Sequence, residues 1–155
     1  MGHPNQHCPK RYGPIGSIEV QGSMTVRMRM IKINGKEVEW ERAPNFVNKV
    51  QRKVLWKDEK TGALFAIYRV PKGLDSKEQE PHFHSHANQF RFNISGEMEL
   101  PNGDVRSFSE DNYGFNYCPK NEEHGAAPKG IKVLKDWIYL HYFDGPDDWD
   151  DSDKD

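Results

Sequence analysis

The sequence predicts an all-β fold, and three observations carry that expectation. Short runs rich in β-branched and aromatic residues recur along the chain, turn residues separate them, and no amphipathic helix of convincing length interrupts them. Many short strands at regular spacing argue a sandwich or a barrel. At 155 residues the chain suits one domain, and a chain of this size buries roughly two-thirds of its unfolded surface, so it needs neither disulfides nor a structural metal to fold. Hydrophobic residues make up 35%, charged residues 30%, and the mean hydropathy is -0.94, which places solvated segments around a smaller core.

Residues 1–23 are rich in Gly, Pro and polar groups that bury too little apolar surface to offset their ordering, and they read as an irregular arm. From Thr25 to Trp40 strand character takes over, and Asn34-Gly35 is a two-residue hairpin signal because both positions accept positive φ. That hairpin would set Ile31 opposite Val38. Ala43 to Lys49, containing Pro44, is a connector. Val50–Lys57 and Ala63–Val70 form a second predicted hairpin around the polar turn Asp58-Glu59-Lys60-Thr61-Gly62. Pro71-Lys72-Gly73 ends it, and a charged loop from Asp75 to Glu80 delivers the chain to a cluster of histidines.

Gln89 to Ile94 alternates strictly, with Phe90, Phe92 and Ile94 on one side and Gln89, Arg91 and Asn93 on the other. Ser95-Gly96 reads as a turn. Glu97–Leu100 and Val105–Phe108 flank a further turn, Pro101-Asn102-Gly103-Asp104; Tyr113, Phe115 and Tyr117 alternate again, and Lys132–Phe143 supplies a long last strand. The predicted barrel body is thus 24–143, followed by an acidic, disordered tail over 144–155.

With 22 Lys and Arg against 24 Asp and Glu, the net charge of -2 offers no global attraction to nucleic acid or to an anionic membrane. Cys8 and Cys118 stand in unrelated contexts, so they suggest neither a zinc ribbon nor a disulfide scaffold, and a reducing compartment fits best. The N-terminus has no apolar signal region and no apolar run is long enough to span a bilayer. The expectation is a soluble, cytoplasmic protein.

The stretch that carries chemistry is Pro81-His82-Phe83-His84-Ser85-His86. Imidazoles at alternate positions project from one face of an extended backbone, and His124 follows at the end of Pro119-Lys120-Asn121-Glu122-Glu123. Here the residues resemble the cupins, small jelly-roll barrels whose two motifs place a metal site inside the barrel. His82-x-His84, Gln89 and Gly96 match the spacing of the first cupin motif from its first histidine onward; Gly114 and Pro119-Lys120-Asn121-Glu122-Glu123-His124 match the second. Asn121 stands where the motif has glycine, and Asn tolerates the left-handed conformation of a tight turn. Gln89 stands where the family has a carboxylate ligand, and the loop from Gly73 to His82 is longer than the family spacing.

The resemblance implies a single cupin jelly-roll barrel holding one divalent metal on His82, His84 and His124. Gln89 is either a weak fourth ligand or a group that holds a histidine in place. Three neutral imidazoles leave positions for water or substrate and accept Fe, Zn, Mn, Ni or Cu. The pattern is most similar to the three-histidine cupin dioxygenases that cleave β-diketones, which implies Fe(II), O2 and a small anionic or enolisable substrate, and, as is common among cupins, a homodimer with the Asn34-Gly35 hairpin as candidate interface. A metal-dependent isomerase, cyclase or lyase, or a ligand-binding cupin without turnover, remains the alternative. If Gln89 faces the metal, Arg91 and Asn93 share its face, and Arg91 either binds a substrate anion or pairs with an internal carboxylate. Tyr117 is a candidate cavity residue, His86 a bystander, and His141 a lining or surface residue.

Overall fold

The computed structural model describes residues 32–46, 49–74, 81–125 and 130–151. Chain contacts divide the protein after Lys32, and the barrel lies wholly in the unit Ile33–Asp155. The irregular arm, the strand predicted from Thr25 and the Ile31–Val38 pair fall outside the described residues, as do 152–155. All regular structure among the described residues is β, and none of them forms a helix long and apolar enough to cross a membrane.

Nine strands follow in order among the described residues: β1 (Glu41–Arg42), β2 (Gln51–Lys57), β3 (Leu64–Val70), β4 (His82–Phe83), β5 (Gln89–Glu99), β6 (Val105–Phe108), β7 (Gly114–Cys118), β8 (Lys132–Phe143) and β9 (Asp150–Asp151). The main sheet runs β1-β2-β3-β8-β5-β6, with β7 also on β5, and β4 pairs β9 in a small second sheet. Each of these pairings is antiparallel. β5 is the hinge of this arrangement, because β8 lies along one edge while β7 and then β6 share the other.

Period-two patterning builds the interior. On β3, Leu64, Ala66, Tyr68 and Val70 are buried and their neighbours are not, and they meet Val133, Tyr139 and Phe143 of β8 in one core. β5 inverts the usual rule: Gln89 and Asn93 are 7% and 3% exposed, whereas Phe92 and Ile94 are 42% and 41% exposed. Polar groups therefore point inward and apolar ones outward along the first half of this strand.

Three sequence expectations need correction. Among the described residues, 32–40 form no strand on either side of Asn34-Gly35. Glu37 N–H donates to the Asn34 carbonyl (2.8 Å) and Lys36 N–H to the Asn34 side chain (3.1 Å), so Asn34 opens an isolated turn that holds its own donors. Ser95-Gly96 does not turn the chain. β5 passes straight through them with shifts of register against β8 between Asn93 and Met98. Gly96 makes the passage possible, since its φ is +131° and a Cβ there would lie 2.7 Å from the Trp137 Cα.

The third correction concerns the acidic tail, of which residues 144–151 are packed on the barrel. The Asp144 carboxylate accepts from the Asn88 backbone N–H and from its side-chain amide, both at 2.7 Å. Pro146 covers Gly62 in the β2–β3 turn, and β9 pairs with β4. An acidic composition signals solvation only when the carboxylates lack partners, and two of these, Asp144 and Asp147, have them.

Candidate metal centre

Two backbone links bring the predicted ligands together. His82 and His124 exchange N–H···O=C bonds of 2.8 Å in both directions, and Asn121 N–H donates to the His84 carbonyl (2.9 Å). Asn121 has φ +65°, the left-handed conformation that its place in the motif requires. The turn from Pro119 to His124 is thereby stitched onto the His82–His84 segment, and His82, His84 and His124 offer ligand nitrogens that all lie within 4.8 Å of one another.

Each ring is oriented by what it touches. The Asp148 carbonyl lies 2.8 Å from His84 Nδ1 and the Glu122 carbonyl 2.9 Å from His124 Nδ1. A carbonyl can only accept, so both rings carry the proton on Nδ1 and the lone pair on Nε2. His124 Nε2 is buried with no hydrogen-bond partner among the described residues, which suits a nitrogen aimed at a cation. Burial lowers the His124 pKa, opposed by its bond to Glu122, so the neutral, metal-ready form prevails near pH 7. Trp149 stacks on His82, with ring centres 3.6 Å apart and planes 7° from parallel. A shared divalent ion therefore fits this donor set of three imidazoles.

The centre borders a cavity of about 190 Å³ inside the barrel, onto which His82, His124, Gln89, Arg91, His141 and Trp149 face. Its walls are otherwise mostly apolar, with Tyr68 and Tyr139 stacked at 5.3 Å. Burial pushes the Tyr68 hydroxyl up to about 12 and raises that of Tyr139 further, so both remain neutral phenols. Arg91 lies opposite His141 across β5 and β8. Its guanidinium sits 5.4 Å and 5.5 Å over the Trp137 and Tyr139 rings, and its Nε is buried without a hydrogen-bond partner among the described residues. No carboxylate among those residues pairs with it, and the one carboxylate on the cavity wall, Asp147, is 2.9 Å from Arg52.

Two predicted substrate contacts do not reach this cavity. Tyr117 is 52% exposed on the outer face, where its hydroxyl donates to Asn88 at 3.2 Å, because the alternation of β7 turns its aromatics outward. Asn93 points inward but is fully used: its amide donates to Asn116 (2.9 Å) and its oxygen accepts from Trp137 Nε1 (3.0 Å). It holds Trp137 in the wall. His86 is exposed and bonds Ser85, whereas His141 is buried in the wall with neither ring nitrogen hydrogen-bonded among the described residues. Burial, then the charge of Arg91, keeps His141 well below the usual imidazole range and hence neutral. Sequence patterning gives no sign of Trp149 and Asp148, because their acidic segment has the composition of a solvated tail.

No protein-family profile matches the chain, and no curated protein matches it. Solved structures do. A protein assigned as an acetylacetone dioxygenase from Methylibium petroleiphilum PM1 is 18% identical with a TM-score of 0.61, over 86% of this chain and 89% of that one. An acetylacetone dioxygenase from Acinetobacter johnsonii is 17% identical with a TM-score of 0.54, over 89% of this chain and 88% of that one. An RmlC-like cupin protein from Ralstonia eutropha is 17% identical with a TM-score of 0.55, over 76% and 70%. The chain has the cupin fold. The histidine segment supplies β4 and leads into β5, the stretch from Pro119 supplies the turn to His124, and Gln89 lines the cavity wall.

Proposed function

We propose that the chain is a mononuclear metal-dependent cupin enzyme, and specifically a non-haem Fe(II) dioxygenase acting on a small enolisable oxygenated substrate. The observation that carries this reading is the clustering of His82, His84 and His124, two of which, His82 and His124, line a small, largely apolar cavity. The likeness to two acetylacetone dioxygenases supports the same class of chemistry.

Bound to the three imidazoles, Fe(II) would supply a redox centre for O2 and a Lewis acid for the substrate oxygens, and Zn, Mn, Ni or Cu would fit the same nitrogens. The chain's own residues do the rest. Gln89 offers an amide oxygen beside the histidines, as a weak fourth ligand or as an orienting group. Tyr68, Tyr139 and the apolar wall exclude water, and Arg91 orients an oxygen-bearing end of the substrate. A second reading, a metal-assisted isomerase, cyclase or lyase, is favoured by His141, a neutral imidazole on the cavity wall able to take a proton. Binding without turnover is the non-catalytic form of the same reading.

For partners, the proposal is O2, a small-molecule substrate and a second copy of the chain in a reducing, cytoplasmic setting. The outer face of β5 and β7, where Phe92, Ile94 and Phe115 are 42%, 41% and 54% exposed, carries an apolar patch that can meet its own copy across a two-fold axis. The deciding experiment is anaerobic Fe(II) loading followed by O2 uptake on a panel of β-diketones and keto acids. Substrate-dependent uptake is expected. Metal-loaded protein that consumes no O2 with any of them, yet converts one anaerobically, would replace the oxygenase by the isomerase or lyase reading. His124→Ala is expected to abolish metal loading, and metal retained in that variant would overturn the ligand set.

A further inference from the structure

We propose that the substrate is a small carboxylate, bound through its acid group by Arg91 in the cavity that the proposed function assigns to substrate. The inference rests on that assignment of the cavity, and it narrows the substrate from any enolisable oxygenated compound to a short keto or hydroxy acid.

The argument begins with charge. A guanidinium cannot shed its proton in a protein, so taking it out of water is costly unless an anion meets it. Arg91 is held in place by the Trp137 and Tyr139 rings rather than by a carboxylate. Asp147, the one acid on the wall among the described residues, is already engaged by Arg52. The three histidines of the centre add no negative charge, and Gln89 stands where a carboxylate would otherwise have contributed one. The cavity thus holds a fixed positive charge before any metal binds, and a cation at the histidines would only add to it. A neutral diketone leaves that charge unanswered; a carboxylate answers it with two parallel hydrogen bonds.

Geometry sets the size. Arg91 is one inward position beyond Gln89, about 7 Å along the strand at about 3.4 Å per residue, and Gln89 lies opposite Cys118, whose sulfur is 3.2 Å from His124 Nδ1. His141, across from Arg91 on β8, lines the same cavity. A cavity of about 190 Å³ is smaller than the roughly 300–1,000 Å³ of drug-sized ligand sites. A chain of a few carbons with a carboxylate at one end and a carbonyl or hydroxyl oxygen at the other spans from Arg91 to the histidines and fills that space.

The test uses metal-free protein, so that it does not depend on the oxygenase chemistry. Thermal shift and titration calorimetry are run with 2-oxobutanoate and with its neutral counterpart butan-2-one. The acid is expected to raise the melting temperature and the ketone to leave it unchanged. In Arg91→Met, binding of the acid is expected to fall about ten- to a hundredfold, the range set by one charged hydrogen-bonded pair. Arg91→Lys keeps the charge but loses the fork, and it is expected to bind more weakly than wild type; it serves if Arg91→Met does not fold, as judged by circular dichroism. Equal shifts from acid and ketone, or undiminished affinity in the variant that folds, would overturn the proposal. Acid binding without O2 uptake would leave this site standing and remove the oxygenase, whereas uptake with neutral diketones and no acid binding would do the reverse.

Discussion

Removing residues 146–155 tests how far the packed C-terminal segment builds the proposed metal centre. The deletion leaves the Asp144–Asn88 clamp and takes away the Asp147–Arg52 ion pair, the Asp148 carbonyl on His84, the Trp149 ring on His82 and the pairing of β9 with β4. Loss of the group that orients a ligating histidine lowers metal affinity about 10- to 100-fold, equivalent to about 1.4 to 2.7 kcal/mol. Stability falls as well. A half-buried indole covers roughly 100 Å² of apolar area, worth about 2.5 kcal/mol at about 25 cal/mol per Å², and its contacts with His82 and Phe46 add about 1 kcal/mol. Metal affinity is read by competition with a chromophoric chelator, and stability by urea unfolding of the metal-free protein. Trp149→Ala separates the two effects, because it keeps the Asp148 carbonyl: it is expected to lose most of the stability but less of the metal affinity. A truncated protein that folds and binds metal with wild-type affinity would refute the claim that this segment orients the ligands.

Other outcomes follow from single contacts. Asn93→Ala strands the part-buried Trp137 Nε1–H and is expected to cost about 1 to 3 kcal/mol in urea unfolding, and a stability equal to wild type would contradict the role of Asn93 in holding Trp137. Gly96→Ala places a Cβ 2.7 Å from the Trp137 Cα at a φ of +131° and is expected to cost at least about 1 to 3 kcal/mol from backbone strain alone; a thermal midpoint equal to wild type would contradict the bulge. The metal-free protein is expected to lose stability as pH falls below about 6.5. There the unfolded chain protonates its histidines, whereas His141 stays neutral in the fold, faced by Arg91 on β5, Tyr68 on β3, Tyr139 on its own strand, and His84 and His124. The slope approaches about 1.4 kcal/mol per pH unit for one such group, and His141→Gln is expected to flatten it in urea titrations at pH 5 to 7.

Fold class, most of the strand positions between Gln51 and Phe143 and the histidines are legible in the sequence because they rest on local rules, although β5 reads there as two strands and β9 as tail. Alternation of period two follows from the pleat of a strand, and it is enough to set Gln89, Arg91 and Asn93 on one face. Spacing pairs His82-x-His84 with His124, since two short motifs of fixed length carry their own turns, including the left-handed Asn121. What a residue does once it faces inward is less legible. Asn93 and Arg91 share a face, yet one is consumed by Trp137 and Asn116 and the other is left without an acid, and which occurs depends on partners 23 and 44 residues away.

The sequence alone determined that this is a β-barrel with a three-imidazole cluster, because pleat and motif spacing act over a few residues. Only the tertiary structure decided that the acidic C-terminal stretch is a strap whose Asp148 carbonyl and Trp149 ring hold His84 and His82. It also decided that Ser95-Gly96 is a passage rather than a turn, and that Arg91 meets aromatic rings and, among the described residues, no carboxylate. Each depends on which side chains arrive from distant strands, and composition carries no record of that: the same acidic run is solvated in an isolated chain and anchored where Asn88, Arg52 and Gly62 receive it.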